Sequence, residues 1–141
     1  MEPMEIPTVH GVAVLWWDDE SDPVSPGWVL RYHRSPHPGE TGLRNLDEIL
    51  AAGPDPEEAR REALVFLGRQ GIGAGEQCGA SDAARVAGLA TRGAWNNTSW
   101  RPDPDGWVHA RAPWWWESTI LAAKARRPGR GARTDLTRQV T

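Results

Sequence analysis

Along residues 9–17 apolar side chains fill both alternating sets, Val12, Val14 and Trp16 on one and Ala13, Leu15 and Trp17 on the other. A strand with two apolar faces belongs in the middle of a sheet or under cover on both sides. Residues 18–26 are turn formers, and residues 27–34 alternate again, with Trp28, Leu30 and Tyr32 opposed to Val29, Arg31 and His33. The pattern predicts a β-hairpin with a long acidic loop, its second strand half-buried. Residues 33–42 follow as a loop rich in Pro and Gly. Residues 1–8 precede the first strand and are expected to be flexible.

The period then changes. Asn45 is placed to cap a short helix through Ala52, with Leu46, Ile49 and Leu50 inward and Gly53-Pro54 ending it. Asp55-Pro56-Glu57-Glu58 is a stronger signal: an N-cap acid, Pro at the first helical position, and a Glu three residues after the cap that can complete a capping box. That helix is predicted to reach Arg69, with Ala59, Ala63, Phe66 and Leu67 on its apolar face. Residues 71–79 contain four Gly and are expected to be irregular. Ser81 starts a predicted helix over 82–92, closed by Gly93, with Ala83, Val86, Ala87 and Ala90 on a narrow apolar stripe.

Two segments, 95–100 and 107–112, predict a second hairpin around Pro102-Asp103-Pro104-Asp105-Gly106. In its second strand Val108, Ala110 and Ala112 turn to the core, and Trp107, His109 and Arg111 turn away. Pro113 then opens a closing helix whose wheel has no clean polar half, so it is expected to be wedged between two surfaces. Together these elements predict one α+β domain over 9–123. Its small antiparallel sheet is built from two β-hairpins and packed against two to four short helices.

Composition alters this picture in two places. The chain holds nine Trp but one Phe and one Tyr, more indole than the core of a 141-residue domain needs. One or more rings should therefore reach solvent, where Trp is favoured at binding hot spots. The net charge of -3 hides an asymmetry: residues 1–62 carry 13 acids against 5 Arg, and residues 63–141 carry 6 acids against 11 cations. Most of that contrast is read as attraction within one fold. In residues 124–141, however, Lys124, Arg126, Arg127, Arg130, Arg133 and Arg138 face Asp135 alone. With little apolar surface to offset the entropy of ordering, this segment is expected to be a flexible basic tail.

The candidate chemistry is sparse. No stretch approaches the length of a spanning helix, and an acidic N-terminus without an apolar run leads us to expect a cytoplasmic protein. His33 and His37 have ligand-like spacing but straddle Ser35-Pro36, and only His10, His109 and Cys78 are available to join them. Cys78 sits in no nucleophile context, Gly71, Gly73 and Gly75 lack the Lys and Ser/Thr of a phosphate loop, and residues 18–22 lack the Gly and terminal Glu of a calcium loop. No catalytic residue, metal or cofactor is assigned.

What remains is a surface of Trp107, His109, Arg111, Trp114, Trp115 and Trp116, extended by Arg126, Arg127 and Arg130 of the tail. Aromatic anchors with an Arg rim compose a protein-contact hot spot. The expected role is that of a small non-enzymatic regulatory or accessory protein, an inhibitor or adaptor with an unidentified protein partner, and a homodimer is a further option. The alternative is nucleic-acid binding by Trp stacking and the basic tail, against which the pI of 5.8 counts. A small enzyme ranks third.

Overall fold

Ile6 decides the fate of the N-terminus. Fully buried, it belongs to β1 (Met4–Thr8), the outer strand of a four-stranded antiparallel meander completed by β2 (Gly11–Asp18), β3 (Gly27–Arg34) and β4 (Arg44–Leu50). The computed structural model describes residues 2–9, 11–19, 27–34, 44–50 and 53–127. Residues 4–8 are thus ordered in a sheet, where flexibility was expected. Pro7 is admissible because β1 lies at an edge.

As predicted, β2 is central, paired with β1 through Ile6 opposite Ala13 and with β3 through Leu15 opposite Leu30. Its two faces fare differently. Ala13 and Leu15 are buried with Trp28, Leu30 and Tyr32, whereas Val12 is 45% exposed and Val14 and Trp16 are half-buried. Arg31 covers the outer face in part, its guanidinium 5.1 Å from the Trp16 ring. The short helix expected from Asn45 is instead β4, which places Leu46 opposite Tyr32 and Leu50 opposite Trp28. The loop predicted at 33–42 lies mainly outside the described residues.

The helix signalled by Asp55 forms as α1 (Pro56–Arg69). Asp55 accepts the backbone N–H of Glu57, one residue earlier than a capping box requires. Ala59, Ala63, Leu64 and Leu67 of α1 close over the inner face of the meander, and the Trp28 indole N–H donates to Gly53 O at 3.0 Å.

The rest of the chain builds a second, smaller cluster. The helix expected over 82–92 is split into α2 (Ala80–Ala87) and α3 (Arg92–Asn97), because Gly88 takes a left-handed φ of 77° that ends the first. Gly79, not Ser81, is the N-cap of α2. The strand expected at 95–100 is instead the end of α3 followed by a turn, the helix being started by Thr91, whose hydroxyl accepts Ala94 N–H. Three short strands, β5 (Gln77–Cys78), β6 (Gly106–Trp107) and β7 (Pro113–Trp116), form a second antiparallel sheet in the order β5-β7-β6. Cys78, Ala83, Ala84, Ala87, Trp95 and Trp115 pack between this sheet and α2 and α3.

Helix α4 (Glu117–Arg126) is the wall shared by both clusters. Leu121 joins the first and Ile120 the second, which is how a helix without a polar half is accommodated. Trp114 to Trp116, expected at its start, are strand, and Lys124 and Arg126, assigned to the tail, form its last turn. The protein is therefore an α+β domain of antiparallel sheets packed against four helices among the described residues. Residues 128–141, including Arg130, lie outside them.

Buried Ser118 pins the two halves together. Its hydroxyl donates to Ile72 O at 2.9 Å and accepts Ala74 N–H at 2.8 Å, while Ala74 bridges to Thr8 at the β1 edge. Gly75 N–H donates to Pro7 O and Val9 N–H to Gly73 O, so the exposed side of β1 is capped by the chain itself. Ser118→Ala is expected to lower stability by about 1 to 3 kcal/mol in denaturant melts, because one buried and one partly buried backbone group lose their partner. A change of a few tenths would mean that water replaces the hydroxyl.

Candidate protein-contact surface

Gly106 pairs with Trp114 and Trp107 with Pro113, so the strands of this hairpin are two residues deep and a turn over 108–112 carries the rest. Val108 N–H donates to Ala112 O at 2.8 Å and Ala112 N–H to His109 O at 2.9 Å. At the base Asp105 holds both strands, its N–H on Trp114 O and its carboxylate accepting Trp116 N–H at 2.8 Å.

This geometry overturns the alternation expected for 107–112. A turn has no two-residue period, so Val108 is 76% exposed, Ala110 is exposed and Ala112 is half-buried, rather than facing the core. Trp107 at 56% exposure, His109 and Arg111 are exposed with them, and Arg111 N–H donates to His109 Nδ1 at 3.3 Å. The tip is thus an indole and an isopropyl group beside an imidazole and a guanidinium.

The Trp run divides between two environments. Cross-strand partners share a face, which sets Trp107 on the side of Pro113, Trp115 and Cys78 and sets Trp114 and Trp116 on the other. Trp115 is wholly buried, its indole N–H donating to Pro102 O at 2.9 Å and its ring meeting Trp95 edge-on at 5.2 Å. It belongs to the core and not to a surface. Trp114 and Trp116 are half-buried, 5.5 Å apart and edge-to-face. Their indoles lie so close over Gly106 and Gly73 that a Cβ there would sit 2.5 and 2.4 Å from ring atoms.

Arg126 and Arg127 are exposed at the end of α4, and the Arg127 guanidinium lies 5.7 Å from the Trp100 ring. They stand apart from the tip, on another element. Val108 is not legible as a surface residue in the sequence, because 107–112 alternates like a strand. The strong turn formers at 102–106 drew the turn to the wrong place.

Two ionisable groups inside the fold join α1 to α4. Arg60 donates two hydrogen bonds of 2.8 Å to the Glu117 carboxylate, which also accepts Glu76 N–H at 3.2 Å. Burial pushes the Glu117 carboxyl up, but the bonds and charge of Arg60, with the Glu76 N–H, outweigh it and hold the group below the ordinary glutamate range. The same hydrogen bonds raise Arg60 against its partial burial. Burial, aided by the carboxylates of Glu117 and Glu76, pushes the Cys78 thiol up to about 12, so it remains a thiol at neutral pH. Among the described residues no three His, Cys, Asp or Glu side chains are grouped to hold a metal, and no helix is long and apolar enough to cross a membrane. His37, one of the two histidines with ligand-like spacing to which no metal was assigned, lies outside the described residues.

The class these features define is a small α+β domain with an exposed aromatic and cationic hairpin tip. No family model matches the chain, and neither a curated protein nor a solved structure matches it.

Proposed function

We propose that this protein is a non-enzymatic regulatory or accessory protein, an inhibitor or adaptor, that acts by presenting the 106–113 hairpin to a protein partner. The observation that carries the reading is the exposure of Trp107 and Val108 together at a tip fixed from below by Asp105. Large apolar side chains held out on a rigid projection favour insertion into a pocket, because little entropy is lost on docking. Arg111 and His109 supply directional polar contacts at the rim. Asp103 and Asp105 are exposed at the base of the hairpin, which suits a protein surface better than a phosphate backbone.

The test is recovery of partners from the native cell on immobilised wild-type chain and on the Trp107→Ala/Arg111→Ala variant, each with and without nuclease. One stoichiometric protein should be retained by the wild type and lost by the variant, with both chains melting alike. Recovery that disappears with nuclease would move the function to nucleic acid. Equal recovery on both chains would remove the tip from the mechanism.

A further inference from the structure

A hollow of about 380 Å³ opens between α1, α2 and α4, away from the hairpin tip. Its floor is apolar, made of half-buried Val65 and Val86 and nearly buried Leu121. Its walls are cationic. Arg61, Lys124 and Arg127 line it against one acid, Glu62. Among the described residues, none of these three cations has a carboxylate within ion-pair distance, whereas Arg60 is consumed by Glu117 and Arg85 is shared between Glu76 and Asp82. Lys124 is favoured by the negative end of α4. Arg61, in the first half of α1, gains nothing from the helix dipole. Arg127 is held over Trp100, which fixes a donor at the mouth of the hollow.

We infer that this hollow is a docking site for an acidic peptide segment of a partner protein, one aliphatic side chain seated on Val65, Val86 and Leu121 and flanking carboxylates on Arg61, Lys124 and Arg127. The volume is at the small end of those that seat a ligand, enough for one anchoring side chain and its neighbours. Unneutralised positive charge around an apolar floor selects a negatively charged chain that also has something to bury. A phosphate backbone gains nothing from the floor, and three cations around one hollow do not form the track a nucleic acid follows. The site stands on observations separate from those for the hairpin tip, and the two readings fail separately.

The experiment uses the full chain and a short synthetic peptide of alternating glutamates around one central leucine. Saturable binding is expected, with methyl shift changes at Val65, Val86 and Leu121 and weakening as salt is raised. Arg61→Glu/Lys124→Glu should weaken it about tenfold while the thermal midpoint holds. Should that variant fail to fold, Arg61→Gln serves in its place and should weaken binding severalfold. A lysine-for-glutamate peptide should not bind, a serine-for-leucine peptide should bind less well, and Trp107→Ala should change nothing. The proposal is overturned by absence of saturable binding, by shifts confined to other residues, or by a thymidine oligonucleotide that displaces the peptide from the same methyl groups.

Discussion

Trp115→Ala will cost about 3 to 5 kcal/mol of stability, and Trp107→Ala, eight residues away, about 0.5 or less. Both are indoles on one face of the same small sheet. Trp115 touches Trp95 at 5.2 Å, has the Arg101 guanidinium 5.9 Å from its ring, and spends its N–H on Pro102 O. Its removal opens a large cavity in the second cluster and orphans a carbonyl. Trp107 lies past the end of that cluster and is more than half exposed, so truncation removes a ring already in water. Urea midpoints of the two variants measure the contrast. If Trp107→Ala proved as costly as Trp115→Ala, the ring would be part of the core, and the hairpin tip would have no aromatic anchor to offer.

Glu117→Gln at neutral pH is expected to lower stability by about 2 to 3 kcal/mol. Removing one member of a buried ion pair strands the other, and the partial exposure of Arg60 keeps the loss below that of a fully enclosed pair. The pH dependence has a definite sign. Because the folded state holds Glu117 below its ordinary value, the unfolded chain takes up the proton first as pH falls. The stabilisation is complete above about pH 4.3, the ordinary glutamate value, and is lost as pH drops through the lowered folded value. The gap between wild type and Glu117→Gln should accordingly be widest at neutral pH and close on acidification. Melts taken stepwise from pH 7 to pH 3 provide the check, and a gap that does not narrow would show that the carboxylate charge is not what holds α1 to α4.

Legibility in the sequence followed locality. Helix α1 was readable because cap, proline and first-turn acids all lie within four residues, and β3 because Trp28, Leu30 and Tyr32 alternate without interruption. Leu46 and Leu50 suit a period of 3.6 and a period of 2 equally well, and what settles them is pairing with Tyr32 and Trp28, a contact no local window contains. Trp95 favoured a strand by its side chain, although Thr91 offered an N-cap three residues before Ala94. For the candidate surface, the sequence located the exposed indole at Trp107. The assignment of Trp115 to the core needed the register of β7 against β5, two residues long and therefore without a visible period.

The pin at Ser118 and the clamp at Glu117 tie the order of synthesis to the order of folding. The meander and α1 leave the ribosome first, yet Arg60 meets its carboxylate 57 residues later and Ile72 its hydroxyl 46 residues later. Until α4 emerges, the inner cluster lacks Leu121, and the strip along β1 that caps the sheet edge has no anchor. The nascent N-terminal half therefore carries an open apolar layer and an unprotected strand, and long-range closure by the last helix is the step that commits it. Because that helix faces both clusters, neither can be lost without the other, and the chain should open and close as one cooperative unit although it contains two cores.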